Sequence, residues 1–153
     1  MKTIVIIAAT FLSCGAFAQS SNTTDLPVTE RLCGKLQRTQ DFPVKGGLNQ
    51  ITTKYWNLPH VSVSLYPATD GRQCCDGIVP LMTTKTGHWG SFEFKAKGLP
   101  AGSYWVQVEP NGRQYRMRIQ YAPKKNSTQL CSTTFWDVDD AGSFRMGQLI
   151  TLD

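Results

Sequence analysis

The sequence predicts an all-β domain: a two-sheet antiparallel β-sandwich of about seven to eight strands, stapled by disulfides. Apolar residues alternate with polar ones in several short runs, which is the period of a half-buried strand. The 13 glycines and 8 prolines fall mainly between those runs, where they indicate turns. No window shows the period of an amphipathic helix. Together these patterns are typical of short strands joined by turns.

The composition is that of an ordinary globular protein. Of the 153 residues, 41% are hydrophobic and 18% are charged, which excludes a disordered, coiled-coil or collagen-like chain. The formal net charge is +5, and it is +4 without Lys2 (16 basic residues less one, against 11 acidic residues). The basic residues are scattered rather than gathered into a stripe, so the charge gives no indication of nucleic-acid binding.

Residues 1–18 have the pattern of a signal peptide. Lys2 precedes an apolar stretch from Ile4 to Leu12, and alanines occupy the minus three and minus one positions of a cleavage site after Ala18. The pattern predicts a secreted or periplasmic protein, with lipidation at Cys14 as the less favoured alternative. The stretch is shorter than a membrane-spanning helix and no later segment is longer, so the mature chain is predicted to have no transmembrane segment.

Four cysteines remain after that cleavage: Cys33, Cys74, Cys75 and Cys131. An even number in an exported domain predicts two disulfides. Neighbouring cysteines bond to each other only through a strained ring, so we expect Cys74 and Cys75 to reach separate partners, Cys33 and Cys131. A Cys33–Cys131 bridge with a vicinal Cys74–Cys75 bridge is the other possibility. A metal site is less favoured, because there is no Cys-x-x-Cys pair and the two histidines lie outside any ligand spacing.

The mature chain divides into a tail and one domain. Residues 19–29 are polar and predict a flexible tail, and residues 30–153 predict a single sandwich domain. Within the domain, residues 31–37 predict a first strand that carries Cys33. Residues 39–60 contain several Pro, Gly and Asn residues and predict a long irregular connection.

The middle of the chain alternates between strand and turn signals. Residues 61–65 are apolar at every odd position and predict a half-buried strand. Residues 67–77 predict a loop containing the adjacent cysteines, and residues 78–85 predict a weaker strand. Residues 87–90 predict a turn, after which residues 92–94 resume the period of two.

The best-defined element is a hairpin centred on Asn111 and Gly112. Asn-Gly favours a two-residue turn because both residues tolerate positive φ. A turn at this place makes every second cross-strand pair apolar, and a shift of one residue would destroy that pattern. The apolar face then contains the pairs Val108–Tyr115, Val106–Met117 and Tyr104–Ile119, and the opposite face contains Glu109–Gln114, Gln107–Arg116 and Trp105–Arg118.

A last hairpin is predicted over residues 128–153. Its first strand passes through Cys131 and Phe135, residues 139–142 form the turn, and residues 144–152 return. With the strands before it, this hairpin completes the two layers of a sandwich.

Two runs in the middle of the chain resemble a known family. Residues 86–94 (T-G-H-W-G-S-F-E-F) and 98–108 (G-L-P-A-G-S-Y-W-V-Q-V) are similar to the carboxypeptidase regulatory-like domain, a transthyretin-like (prealbumin-like) β-sandwich. Its members show a Gly-x-Phe strand followed by Leu-Pro-x-Gly-x-Tyr and a strand of alternating valines. The resemblance covers about residues 30–121, with its core motif in 86–108. It implies the sandwich fold and carries little information about function.

No catalytic residue, cofactor or metal site is predicted. Enzymes that share a similar sandwich require either paired histidines for iron or a Tyr-Arg-Gly-Ser ending, and this chain has neither. It also lacks the Gly-x-Ser-x-Gly pattern of a serine nucleophile. The sequence therefore predicts a non-enzyme, with a small hydrolase as a remote alternative.

The candidate binding surface consists of Trp105, Gln107, Arg116 and Arg118. A ring beside Arg and Gln side chains can stack on a sugar and hydrogen-bond its hydroxyls, although Arg118 covering Trp105 as a cross-strand pair is the more common arrangement. We therefore predict a binding or structural accessory module of the cell envelope or extracellular space, with an envelope protein or glycan as its partner. The alternative is a carbohydrate-binding module with Trp105 as its platform.

Two further aromatic pairs, Tyr55–Trp56 and His88–Trp89, lie in predicted loops or turns. Such rings are more often folded over the edge of a sandwich than used to bind a ligand.

Overall fold

The computed structural model describes residues 3–8, 26–69 and 73–152, and it confirms the two-sheet β-sandwich. The described residues contain no α-helix. Their strands are β1 (Thr3–Ala8), β2 (Val28–Thr29), β3 (Cys33–Pro43), β4 (Ile51–Asn57), β5 (Ser62–Pro67), β6 (Met82–Lys85), β7 (Ser91–Glu93), β8 (Gly102–Val108), β9 (Tyr115–Tyr121), β10 (Thr134–Asp139) and β11 (Phe144–Leu152).

The strands form two sheets. Sheet A has the order β1-β11-β10-β3-β4, with β7 pairing the start of β3, and sheet B has the order β2-β9-β8-β5-β6. The prediction of antiparallel pairing holds for most neighbours, but β10 runs parallel to β3 and β2 runs parallel to β9. Both exceptions join strands that are far apart in sequence, where a long crossover replaces a turn.

The core lies between the inner faces of the two sheets. Trp136 is fully buried there, and its indole Nε1 donates a hydrogen bond to the Cys33 carbonyl oxygen at 3.0 Å. Alternate residues of the strands supply the rest of the core, which includes Leu36, Val63, Leu65, Phe92, Phe94, Tyr104, Val106, Val108, Tyr115, Met117, Ile119, Tyr121, Val138 and Met146.

Gly34 allows β10 to approach β3 closely at this point. It has φ +152°, and a Cβ placed on it would lie 2.5 Å from the Thr134 carbonyl oxygen and 2.6 Å from Trp136 Nε1. A side chain at position 34 would therefore push β10 away and break the hydrogen bond to Cys33.

The hairpin of β8 and β9 has the predicted register at every pair from Gly102–Tyr121 to Val108–Tyr115. Its turn has φ values of 54° at Asn111 and 79° at Gly112, as a two-residue turn of this kind requires. At the start of β8, the buried Tyr104 donates its hydroxyl hydrogen to the Pro100 carbonyl oxygen at 2.6 Å. That contact fixes the Leu-Pro-Ala-Gly corner against the strand.

Other predicted elements also occur. Val63 and Leu65 are fully buried on β5, and Gly90 N–H closes the predicted turn on the Gly87 carbonyl oxygen at 3.0 Å. The last hairpin consists of β10 and β11, and the carboxylate of Asp139 accepts hydrogen bonds within its turn. The weak strand predicted over residues 78–85 is confined to β6.

The prediction of an irregular connection over residues 39–60 is wrong. β3 continues to Pro43, and β4 then pairs with it in register from Gln37–Asn57 to Pro43–Ile51. The segment escaped the pattern search because β4 is exposed on both faces and so has no apolar alternation. Backbone pairing and polar contacts between the strands, such as the hydrogen bond from Thr53 to Asp41, hold it instead.

The predicted tail is also partly wrong. Val28 and Thr29 form β2, which pairs with β9, and Thr29 is fully buried. Residues 19–25 lie outside the described residues.

The predicted leader falls partly within the described residues. Thr3–Ala8 form β1, which pairs antiparallel with β11 from Thr3–Leu152 to Ala8–Gly147. Cys14 and Ala18 lie outside the described residues, and cleavage stays a prediction. Cleavage after Ala18 would remove β1 and leave β11 at the edge of sheet A.

The disulfide pairing that we expected is wrong, and the alternative is observed. Cys33 is bonded to Cys131, and Cys74 is bonded to Cys75. Cys33 starts β3 in sheet A, and the turn containing Cys131 leads into the neighbouring strand. Cys74 and Cys75 instead pack against Trp105 on the outer face of sheet B, so the two pairs belong to different sheets.

Candidate binding surfaces

The structure brings the four predicted surface residues together on the outer face of sheet B. Trp105 lies opposite Arg118, and Gln107 lies opposite Arg116. All four are half-buried rather than exposed. The loop from residue 73 to residue 80 crosses beside them and accounts for part of this cover.

Arg116 is occupied by contacts within the protein. Its Nε donates to Gln107 Oε1 at 2.8 Å, and its Nη1 donates to the Cys74 carbonyl oxygen at 2.7 Å. Its Nη2 donates to Asp76 Oδ1 at 3.0 Å and to Gln114 Oε1 at 2.9 Å. The guanidinium therefore fastens the disulfide loop to β9, and a ligand would have to displace these acceptors.

Trp105 is packed in the same way. Its ring lies with Tyr66, Cys74, Cys75 and Ile78 in a small apolar cluster outside the main core. A stacking platform needs an open ring face, and this cluster takes up part of the ring. The geometry therefore favours a structural role for Trp105.

A different surface is open at the end of sheet A. Leu36 on β3 is fully buried, whereas Arg38, two residues further along the same face, is exposed. Leu58, directly after β4, packs against the core, whereas Trp56 on β4 is 41% exposed. The hairpin of β3 and β4 therefore extends past the core, and the side chains on its inner face are exposed or half-buried. We call this surface the overhang face; its residues are Arg38, Gln40, Phe42, Thr52, Lys54 and Trp56.

Aromatic rings and cations alternate on the overhang face. The Arg38 guanidinium carbon lies 5.3 Å from the centre of the Trp56 ring, and Lys54 Nζ lies 5.0 Å from the centre of the Phe42 ring. The two rings meet edge to face, with their centres 6.4 Å apart. Each cation thus stands beside a ring at a distance typical of a cation–π contact.

The charge of Arg38 is only weakly neutralised. Arg38 Nε lies 3.5 Å from Asp140 Oδ1, and both side chains are largely exposed, so water screens the pair. Arg38 also donates to Gln40 at 3.1 Å. A ligand carrying its own carboxylate or sulfate could therefore compete with Asp140 for Arg38 at little cost.

The sequence carries a weak signal for this surface. Residues 38–42 read R-x-Q-x-F and residues 52–56 read T-x-K-x-W. In a strand, every second residue lies on the same face, so each run places its ring and its cation on one face. The apolar alternation of a half-buried strand is missing from both runs. The aromatic pair Tyr55–Trp56 was predicted to lie in a loop, whereas it lies on β4.

The other predicted aromatic pair, His88–Trp89, lies at the turn between β6 and β7. Trp89 is exposed, and the His88 ring stands edge-on to it with the ring centres 4.8 Å apart.

A shallow depression of about 400 Å³ lies beside the Cys33–Cys131 bridge. Its charged side chains are Lys35 and Glu93, and Arg31 pairs with Glu93 at 3.2 Å. Among the residues that the structure describes, no group of three or more His, Cys, Asp and Glu could hold a metal ion. The depression therefore has fewer side chains available to bind a ligand than the overhang face.

No family model matches the chain, and the curated proteins contain no match either. In the described parts of the chain, no helix has the length and hydrophobicity needed to cross a membrane. The fold and the chemistry of the overhang face are therefore the basis of the functional argument.

Proposed function

We propose that the chain is an exported, non-catalytic β-sandwich protein that binds an acidic glycan of the cell envelope or extracellular space through the overhang face. One observation carries this proposal: a row of rings and cations lies on an inner sheet face that sheet B leaves uncovered.

Export is supported by two features of the chain. Residues 1–18 have a leader pattern, and the Cys33–Cys131 bridge is of a kind that persists in oxidising compartments. The structure and the leader pattern together favour a secreted or periplasmic location.

The ligand class follows from the side chains. Trp56 and Phe42 offer apolar ring surface on which the CH face of a sugar can stack, and the neighbouring Arg38 and Lys54 offer charge to a carboxylate or sulfate. Binding that depends on these cations should weaken as salt rises, because exposed charges are screened over about 10 Å at 0.1 M.

The first experiment is a glycan array probed with wild type and with Trp56→Ala, supported by titration of the best acidic glycan. We expect Trp56→Ala to weaken binding about tenfold, which corresponds to about 1.4 kcal/mol. The substitution should leave thermal stability nearly unchanged, because Trp56 lies outside the core. Equal binding by the variant, or no binding of any acidic glycan, would overturn the assignment.

Trp105→Ala is the matched control on the other surface. The alternative function, a carbohydrate-binding module with Trp105 as platform beside Gln107, Arg116 and Arg118, predicts the reverse result. Loss of binding in Trp105→Ala with retention in Trp56→Ala would establish it. Loss of folding in Trp105→Ala would be seen in its circular dichroism spectrum, and Trp105→Phe would then replace it.

A further inference from the structure

The four edge strands of the two sheets differ in length and in how they are protected from pairing with other chains. Sheet B ends in β2 with two residues and β6 with four, and short edge strands resist pairing with other chains. In sheet A, β4 forms one edge and carries Lys54. At the other end of sheet A, β11 is nine residues long, and β1 covers it in the full chain.

The part of β11 that β1 covers has no protection of its own. Residues 147–152 read G-Q-L-I-T-L, without a charge or a proline. Natural proteins usually blunt an exposed edge with lysine, proline, a bulge or a short strand. None of these devices occurs along residues 147–152, where β1 supplies the cover instead.

The cover is the segment predicted to be removed on export, so this inference rests on the export part of the proposed function. Cleavage after Ala18 would take away residues 3–8 and expose the backbone hydrogen-bonding groups of residues 147–152 on β11, of which residues 147 and 148 also pair with β10. We propose that β11 of a second copy then takes the place of β1, so that the cleaved chain forms a homodimer with sheet A continuous across it.

A second copy fits this edge for two reasons. β1 (T-I-V-I-I-A) shows what the edge accepts: an antiparallel, uncharged strand rich in aliphatic residues. Residues 147–152 of a second copy meet the same description. An antiparallel pair of identical strands is also self-complementary about a two-fold axis, which is the most common symmetry of protein dimers.

Leu149 provides a variant that tests the edge without disturbing the core. Met146 lies in the core, so Leu149, three residues later, falls on the outer face of sheet A, where it is half-buried. Leu149→Lys would place two lysines near the two-fold axis. The matched control is Ile51→Lys on β4, which makes the same kind of change on the same outer face at the opposite edge.

The experiment expresses the full chain with its leader in an exporting host and measures the exported product. Mass spectrometry gives the N-terminus, light scattering gives the mass in solution, and hydrogen exchange reports the amides of residues 147–152. We expect a product that starts at Gln19, has twice the chain mass, and has protected amides in β11. Leu149→Lys should weaken dimerisation at least about tenfold and expose those amides, whereas Ile51→Lys should do neither.

The outcomes separate this inference from the proposed function. A product that keeps its leader would contradict export, and it would overturn the dimer as well, since the edge never opens. A cleaved product that is monomeric at all concentrations would overturn the dimer alone, whether its β11 amides are exposed or are protected by its own chain. A dimer that Leu149→Lys leaves intact would show that another surface joins the copies, which also overturns the proposal.

Discussion

Two hairpins with the same number of paired residues differ in the burial of their side chains. β8 and β9 pair seven residues with seven, and alternate residues along both strands are buried. β3 and β4 also pair seven residues with seven, but every residue of β4 is exposed. Backbone pairing is the same in both, so a ladder of hydrogen bonds does not require a buried face.

The difference lies in what stands opposite each hairpin. Sheet A covers the inner face of β8 and β9, whereas the hairpin of β3 and β4 continues past the point where sheet B ends. The covered hairpin stabilises the fold through its side chains. The uncovered one contributes little burial, which leaves its side chains available for a partner. Three changes would break or sharpen this contrast.

The largest effect is expected from the bridge at the root of the overhanging hairpin. Replacing Cys33 and Cys131 together by alanine should lower the free energy of unfolding by about 4–5 kcal/mol, because the bridge closes a loop with a sequence separation of 98. Replacing Cys74 and Cys75 together should cost clearly less, since they are adjacent and close no loop. Urea unfolding of both variants measures the difference. Equal losses of unfolding free energy in the two variants would show that loop closure does not determine how much each bridge stabilises the fold.

A matched pair of isoleucines tests the hairpins themselves. Ile119 on β9 is fully buried, and Ile119→Ala should destabilise the protein by about 2–5 kcal/mol through lost burial and the cavity left behind. Ile51 on β4 is 66% exposed, and Ile51→Ala should change the stability by about 0.5 kcal/mol or less. Thermal or urea unfolding gives both values. A loss above about 1 kcal/mol for Ile51→Ala would mean that the exposed hairpin supports the core.

The smallest effect concerns Asp137, which lies opposite Gln37 where β3 leaves the core. Burial raises the pKa of this carboxyl to about 6, against a smaller opposing influence of the Arg145 cation. The unfolded pKa is about 3.9, so ionisation costs stability progressively between about pH 4 and about pH 6. Wild type should therefore gain stability relative to Asp137→Asn as the pH falls from about 7 to about 5.

Urea midpoints of the two proteins across that range test the pH prediction. A constant difference between them would show that Asp137 does not titrate there. Arg145→Gln is the control: it removes the cation that holds the pKa of Asp137 down, so it should move the transition to higher pH.

The sequence predicted the β8–β9 hairpin completely because two independent signals agree there. Asn111-Gly112 fixes the turn, and the alternation of Tyr104, Val106 and Val108 fixes the register. The β3–β4 hairpin lacks both signals: its turn has no Asn-Gly, and its strands have no apolar period. Two disulfides were predicted, but the favoured pairing was wrong for a related reason: pairing depends on which sheet face each cysteine occupies, and spacing along the chain does not carry that information.

The sequence predicted the kind of side chains in the candidate site, an aromatic ring beside an arginine, but placed them on the other surface. A ring beside arginine was expected, and the structure has one such pair on each surface: Trp105 with Arg118 and Trp56 with Arg38. Which ring is open depends on the loop that packs over Trp105 and on the place where sheet B ends. Both are long-range properties of the fold, and short-range patterns in the sequence do not reveal them.

The parallel pairing of β10 with β3 determines the order in which the molecule can assemble. Strands β5, β6, β8 and β9 all lie between residues 62 and 121 and pair with one another in sheet B, so they can form while the end of the chain is still being synthesised. The pairing of β3 with β10 must wait for the end of the chain, and closing so long a loop is slow. In a chain that emerges N-terminus first, the Cys33–Cys131 bridge therefore cannot close before Cys131 follows, when the strands of sheet B have already been synthesised.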